Sequence, residues 1–180
     1  MTKKYKVLFL GSDNSARSIM AEALLRELGG HRFEAFSAGA KPASRVHSLA
    51  MAQLRPGISD LDRLNPKSWL EFTGEWAPRM DVVIAMGEQV AEYHAPAFPG
   101  RPECCQWNIP DPLAVMVTDA ERARLFKSVF WQILRRVNLF ISLPRPSTSA
   151  PKSMGGTEPS FSELHCRLSA DRSRQVRLIH

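Results

Sequence analysis

A short apolar run, followed at once by a polar loop and a helical pattern, constrains the fold of this chain most. Residues 5–10 are strand formers without polar alternation, which is typical of a strand buried on both faces of a parallel sheet. The polar stretch 11–17 comes next, and apolar residues then recur at helical spacing until Gly29 and Gly30. The order strand, loop, helix predicts the start of a βαβ unit.

The same alternation continues along the chain. Further strands are predicted at 33–38, 80–86 and 104–109, and further helices at 46–54 and 119–141. Asp119 is a suitable N-cap for the last helix, and Glu121 adds a favourable charge to its first turn. Strands that alternate with helices predict an α/β fold with a parallel sheet, in which ligands bind beyond the carboxyl ends of the strands.

Length and composition indicate one soluble domain. The chain has 180 residues, of which 44% are hydrophobic and 23% charged. No apolar run approaches the ~20 residues of a membrane-spanning helix, and the basic N-terminus lacks a signal-peptide cleavage site. We therefore expect a cytoplasmic protein with no membrane partner.

Cysteine content and charge exclude further classes. Cys104, Cys105 and Cys166 are odd in number, which argues against a disulfide framework and fits a reducing compartment. The net charge is +6, but no basic stripe interleaves with aromatic residues, so no nucleic-acid partner is expected. No spacing typical of a zinc site occurs, and neither a metal nor another cofactor is expected.

Composition also divides the chain. Residues 1–142 have the pattern of the folded domain, whereas residues 143–160 are rich in proline and serine and read as a linker. Residues 161–180 form a basic C-terminal extension that suits either a short amphipathic helix or a solvated tail.

The loop after the first strand has the composition of an oxyanion site. Backbone N–H groups and the positive end of a helix dipole converge there, and Arg17 can offer a bidentate fork. The alternative is an ordinary turn, capped by Ser15 or Asn14, with Arg17 on the surface. The candidate oxyanion-binding residues are Ser12, Asp13, Asn14, Ser15, Ala16, Arg17 and Ser18.

This loop resembles the active-site loop of the low-molecular-weight protein tyrosine phosphatases, especially their arsenate reductase branch. The family loop is a cysteine, five residues and an arginine, often followed by serine. Further matching motifs follow in the family's order, at 36–39 with Pro42, at 46–47, at 81–84, at 99–100 with Trp107, at 110–112 and in the helix 119–141. The resemblance covers about residues 5–141 and implies a four-stranded parallel sheet flanked by helices.

The resemblance also implies a reaction. A cysteine thiolate attacks the oxyanion, while loop amides and the arginine hold its oxygens. An aspartate before a proline protonates the leaving group, and water or a thiol resolves the intermediate. On this basis Arg17 and Asp111 take the catalytic positions, and phosphate or arsenate is the implied ligand.

The chain departs from the family pattern at the nucleophile. Counting back from Arg17 places Gly11 at the cysteine position, and glycine has no side chain that can attack. Ser12 comes one residue later, and no partner base is apparent for it. Met86 and Ala95 stand where thioredoxin-coupled reductases carry further cysteines. The protein is therefore expected to be inactive or impaired, a pseudoenzyme that retains an oxyanion-binding loop.

Asp13 is a second departure, since the family commonly has a small residue there. A carboxylate ~5 Å from a bound dianion would repel it by ~3 kcal/mol per unit charge at an effective dielectric constant of ~20. Alternatively, Asp13 pairs with Arg17 and closes the loop from within. Either effect weakens oxyanion binding.

Three functional readings remain open, besides a decaying or engineered sequence. The first is a non-catalytic oxyanion protein acting as a sensor, sequestering protein or regulator. The second is an arsenate reductase that uses an external low-molecular-weight thiol, with Arg17 stabilising charge. The third is an interaction module whose C-terminal extension contacts a protein partner. Leu113, in place of an aromatic residue near Asp111, favours the arsenate branch.

Other conspicuous residues are predicted to be structural. His47 starts a helix, and Cys104 and Cys105 should place one thiol in the core and one on the surface. The four tryptophans are predicted to be packing residues rather than a recognition surface; they are Trp69, Trp76, Trp107 and Trp131.

Overall fold

The structure is a computed structural model that describes residues 3–87 and 95–143. Four strands and three helices make up its regular elements: β1 (Tyr5–Gly11), α1 (Arg17–Gly29), β2 (Phe33–Gly39), α2 (Ser48–Leu54), β3 (Val82–Ala85), β4 (Glu103–Gln106) and α3 (Asp119–Ser142). Two single-turn 3₁₀ helices, Leu61–Arg63 and Trp69–Phe72, were not predicted. Apart from Leu143, the predicted linker 143–160 and the extension 161–180 lie outside the described residues.

The four strands form one parallel sheet in the order β2-β1-β3-β4. This confirms the predicted α/β fold with a four-stranded parallel sheet flanked by helices. β1 lies inside the sheet and pairs along its whole length with β2, from Tyr5 opposite Phe33 to Gly11 opposite Gly39. The carboxyl end of β1, where the polar loop begins, is therefore enclosed by two neighbouring strands.

Each face of the sheet packs against its own apolar cluster. Val7 and Phe9 of β1 lie in the larger cluster, with the buried sides of α1 and α3. Leu8 and Leu10 point to the other face, where Trp69 and Phe72 of the second 3₁₀ helix cover them. Because successive strand residues face opposite sides, burial on both faces explains why β1 lacks polar alternation.

The N-cap of helix α3 lies one residue earlier in the chain than predicted. Thr118, not Asp119, is the N-cap: its hydroxyl accepts the N–H of Glu121, whose carboxylate accepts the N–H of Thr118. This reciprocal pair is a capping box. The prediction that Asp119 caps the helix was wrong because Asp119 already has helical geometry, where its charge still favours the helix terminus.

The cysteine prediction is confirmed, and the tryptophan prediction holds only in part. Cys105 is buried and Cys104 exposed. Trp69 and Trp107 are buried, but Trp76 is 96% exposed and Trp131 is 55% exposed. Trp131 was misassigned because it lies on α3 opposite the buried stripe formed by Phe126, Val129, Ile133, Val137 and Phe140.

Candidate functional site

The loop 12–16 connects β1 to α1 at the carboxyl edge of the sheet. This is where parallel α/β sheets bind ligands. The loop lies against the end of β2, where a Cβ on Gly39 would stand 2.9 Å from the Asn14 nitrogen and 3.0 Å from the Ser12 carbonyl. The close approach of loop and strand therefore depends on Gly39 having no side chain.

The buried side chain of Asn14 ties the loop to the neighbouring elements by hydrogen bonds. Its φ of 53° is left-handed, a region that asparagine tolerates better than most residues. Its Nδ2 donates to the hydroxyls of Ser18 and Ser37, both at 2.9 Å, and its Oδ1 accepts the N–H of Lys67 at 2.9 Å. The Asn14 side chain is fully buried and engaged at both ends, so it is not free to hold an anion.

The hydrogen-bond network behind the loop extends into α1 through Glu22, a residue that was not predicted from the sequence. Glu22 is buried, accepts the Ser37 hydroxyl proton, and pairs with Lys67 at 3.6 Å and Arg26 at 3.3 Å. A lone carboxylate inside the apolar stretch 19–25 was the available signal. Buried charges require such partners, so the group marks a structural network.

The segment 41–47 fixes the other side of the loop. The carbonyls of Ser12, Asp13 and Ser15 accept backbone N–H groups of this segment at 2.8–2.9 Å. The last of those donors is His47, whose Nδ1 also accepts the Leu49 N–H and caps α2. With its carbonyls committed, the loop holds its shape without a ligand, and His47 has the predicted structural role.

The surroundings of His47 favour its neutral form. Burial, followed by the charge of Arg122, lowers the pKa of His47, and nearby Asp13 opposes the shift. The ring also stacks on Phe126, with ring centroids 4.7 Å apart. Protonation would disturb the cap, since Nδ1 must accept the Leu49 N–H.

The Asp13 carboxylate turns back onto its own loop. It accepts the Ser15 N–H at 3.0 Å and the Ser15 hydroxyl at 2.8 Å. The suggested direct pairing of Asp13 with Arg17 is wrong, because a short aspartate reaches the N–H two residues ahead in an Asx turn. Asp13 thus occupies two of the donors predicted for an oxyanion.

Arg17 is buried, with 8% of the residue exposed, so the surface-turn alternative is also wrong. Its Nη1 donates to the Ile109 carbonyl at 2.9 Å, and its Nη2 lies 2.8 Å from Asp111 Oδ2. Burial lowers the pKa of the guanidinium, while Asp111 and then Asp13 oppose this. The structure therefore brings together the two residues predicted at catalytic positions.

Gly87 makes room for the Arg17 side chain. A Cβ on Gly87 would lie 2.8 Å from Arg17 Nη1, which also faces the Met86 carbonyl at 3.5 Å. No local sequence pattern predicts this contact, because residues 17 and 87 are distant in the chain. Gly87 is thus a further residue on which the position of Arg17 depends.

The loop that carries Asp111 is fixed at both ends. Asp111 Oδ1 accepts the Leu113 N–H at 2.9 Å, and Arg122 of α3 donates to the Pro112 and Val115 carbonyls at 3.0 Å. One carboxylate oxygen of Asp111 thus stabilises its own turn while the other holds Arg17.

Gly11 ends β1 and is buried beneath the loop. A Cβ built on Gly11 would lie 2.7 Å from the Ser18 hydroxyl and 3.7 Å from the Asn14 nitrogen. Ala16 precedes α1 and offers no side-chain cap, so the suggested cap by Ser15 or Asn14 is absent. The Ser12 hydroxyl is buried and has no hydrogen-bond partner among the described residues. The loop thus combines a helix start that lacks a side-chain cap with a buried hydroxyl that has no partner among the described residues.

The structure thus combines a parallel sheet, a braced loop, an arginine at the following helix start and an aspartate across the edge of the sheet. The sequence matches the family described as low molecular weight phosphotyrosine protein phosphatase over residues 6–144. The chain belongs to this family.

Its relatives include arsenate reductases. An arsenate reductase from Halalkalibacterium halodurans is 27% identical over 140 residues, which cover 78% of this chain and 96% of the relative. The solved structure of an arsenate reductase in its oxidized state has a TM-score of 0.60 at 27% identity, covering 76% of this chain and 96% of that one. An arsenate reductase in a phosphate-binding state has a TM-score of 0.57 at 26% identity, covering 77% and 97%.

Proposed function

We propose that this protein is a non-catalytic family member that binds phosphate or arsenate at the loop 11–18. The observation that carries the proposal is Gly11, which stands at the nucleophile position while Arg17 and Asp111 are retained and meet across the loop. Glycine offers no thiolate, so the family's covalent step has no attacking group.

Three kinds of donor support anion binding. The start of α1 lacks a side-chain cap, and uncapped helix N-termini attract anions through their N–H groups. The Ser12 hydroxyl is buried without a hydrogen-bond partner among the described residues, and an unsatisfied buried hydroxyl costs about 1–3 kcal/mol. Arg17 supplies a buried cation next to the same loop.

Neighbouring hydroxyls do not replace the cysteine. The Ser18 hydroxyl lies nearest to the missing Cβ, but it accepts a hydrogen bond from Asn14 and is buried. Among the described residues, neither a carboxylate nor an imidazole hydrogen-bonds to Ser12 or Ser18. A serine without a base is a poor nucleophile, so turnover is not expected.

Two internal carboxylates compete with the ligand. Asp111 holds Arg17, and Asp13 holds the Ser15 donors, so an anion must displace one or both. We therefore expect weak binding, with a dissociation constant on the order of 0.1–1 mM.

Calorimetric titration of the full chain with phosphate and with arsenate, at low ionic strength, tests the proposal. The expected result is saturable binding that Arg17→Ala abolishes. Arg63→Ala, which removes a largely exposed cation from a 3₁₀ helix, is the matched control and should bind as the parent does.

Turnover is measured on the same samples, with an aryl phosphate and with arsenate plus glutathione. Neither substrate should be consumed. Arsenate reduction with the thiol would replace our proposal with that of an external-thiol reductase. Absence of any Arg17-dependent binding would overturn it and leave the interaction-module reading.

A further inference from the structure

Helix α3 exposes one large apolar side chain, Trp131, on the side away from the core, and two further apolar residues lie beside it at the margin of the core. We call Phe130, Trp131 and Leu134 the α3 outer surface. Trp131 is 55% exposed, and its ring meets that of Phe130 edge-on, with centroids 5.8 Å apart. Phe130 and Leu134 are half-buried at the margin of the core. Within residues 3–87 and 95–143, nothing covers Trp131.

The α3 outer surface is framed by positive charge. Lys127 and Arg135 stand one turn before and after Trp131, and Arg124 precedes them on the same side. None of these three cations forms an ion pair with another described residue. From residue 122 to residue 142 the helix contains no aspartate or glutamate. A suitable occupant is therefore both apolar and acidic.

The chain itself contains such a segment beyond the described residues. Residues 158–164 carry Glu158 and Glu163, no cation, and the apolar side chains of Phe161 and Leu164. The arginines of the extension begin only at Arg167. This segment complements the α3 outer surface in both charge and apolar character.

The connection is long enough for this contact. The Leu143 carbonyl accepts a hydrogen bond from Arg32, which places the end of the described chain at the end of α3. Trp131 lies twelve helical residues back, about 18 Å away. The fourteen residues 144–157 reach up to about 46 Å when extended. A tethered segment also has a millimolar effective concentration, which favours it over a separate partner.

We propose that residues 158–164 of the C-terminal extension dock on the α3 outer surface, with Phe161 and Leu164 against Trp131 and the two glutamates beside Lys127 and Arg135. The proposal concerns a surface that is separate from the loop 11–18, so it does not depend on oxyanion binding.

Photo-crosslinking of the full chain tests this docking. Asn138 is exposed, two turns from Trp131 on the same side of α3, and is replaced by p-benzoylphenylalanine. Mass spectrometry should find an intramolecular crosslink to residues 158–168. The same replacement at exposed Glu75 is the control, since the second 3₁₀ helix before it packs on the opposite face of the sheet.

Paired variants make the test specific. Phe161→Ser with Leu164→Ser should reduce the crosslink yield at least fivefold, whereas Val176→Ser with Leu178→Ser should leave it unchanged. A crosslinked dimer would assign the surface to a second copy of the chain. Any of three results would overturn the proposal: a crosslinked dimer, no crosslink at all, or crosslinks scattered along the extension.

Discussion

Arg17 pairs with the Asp111 carboxylate in the structure, and the proposed phosphate or arsenate ligand would have to compete with this carboxylate. In the structure its guanidinium is held by Asp111 and the Ile109 carbonyl. To displace Asp111 from the Arg17 nitrogens, an anion must carry more charge than a carboxylate or accept more hydrogen bonds from the loop. In the proposed complex, the affinity for the anion is therefore set as much by Asp111 as by the loop.

Replacing Asp111 with asparagine should strengthen oxyanion binding. The change removes the competing charge and keeps an oxygen for the Leu113 N–H. The Asp111 side chain is 24% exposed, so solvent screens the full Coulomb effect, and we expect about a tenfold gain in affinity. Calorimetric titration measures it, with Asp119→Asn as the control; unchanged or weaker binding would show that Asp111 positions Arg17 for the ligand.

Gly11→Cys should restore some aryl phosphatase activity. The new thiol would sit below the uncapped start of α1 and near Arg17, which lower a thiol pKa. The added Cβ meets only the Ser18 hydroxyl at close range, and that group can rotate. Hydrolysis of an aryl phosphate should exceed the parent's background at least tenfold.

Gly11→Ala adds the same Cβ without the thiol and should stay at background. A folded but inactive Gly11→Cys protein would indicate Asp13, whose carboxylate occupies the Ser15 donors. The double variant Gly11→Cys with Asp13→Gly then distinguishes a blocked loop from a misplaced one.

At the level of single residues, the sequence predicted that Arg17 and Asp111 belong to the site, but it did not predict that they form an ion pair with each other. Arg17 was identified from the composition of its loop as well as from the family resemblance, and Asp111 from the resemblance alone. Their mutual ion pair depends on side-chain conformations across a separation of 94 residues, which no local pattern reports. The Asx turn of Asp13 was locally encoded, since the Ser15 N–H lies two residues ahead.

Among the elements, α2 and the segment before it act through His47. The imidazole has a lowered pKa in the folded protein, so folding favours its neutral form. This contribution to stability is fully present above the ordinary histidine pKa of about 6.5 and is lost as the pH falls through the lowered folded pKa.

His47→Asn should therefore reduce the acid sensitivity of the fold. Asparagine can accept the Leu49 N–H without titrating. The melting temperature of the variant should fall less than that of the parent between about pH 7.5 and pH 5. The exposed His31, changed to Asn, is the matched control, and equal slopes for parent and His47→Asn would contradict the assignment.

Element types were predictable where a periodic pattern ran long enough. The apolar spacing of α3 and the unbroken run of β1 located both within a residue or two. The two 3₁₀ helices are only a turn long and carry no such period, so they were missed. The start of α3 was misplaced by one residue because aspartate is the stronger N-cap by type, whereas the spacing of Thr118 and Glu121 is the sequence signature of a capping box.

For the whole molecule, the larger core is where distant parts of the chain meet. Phe140 from the end of α3 packs against Phe33 of β2 at 5.3 Å and Trp107 beyond β4 at 6.3 Å, centroid to centroid. It is 1% exposed. This one ring contacts residues that flank both edges of the sheet.

Phe140→Ala should lower the free energy of unfolding by about 3–5 kcal/mol, because it leaves a cavity among large rings. That is a large part of the 5–15 kcal/mol typical of a domain. Chemical denaturation measures the loss. Leu139→Ala, at a 47% exposed neighbouring position, is the control and should change stability little; similar losses for both would contradict this view of the core.

The overall architecture was predictable because several signals agreed. Alternating strands and helices indicated a parallel sheet, and the family resemblance supplied its four strands. The exposure of Trp76 and Trp131 was not foreseen, since composition favours burial of tryptophan without saying which side of an element it occupies.

The three loop carbonyls tied to the segment 41–47 have a kinetic consequence. Because the loop is ordered before any anion arrives, binding requires no slow rearrangement of the backbone. In the proposed complex, the anion then has only to exchange places with the Asp111 carboxylate at Arg17, so that exchange, and not the ordering of the loop, limits its arrival.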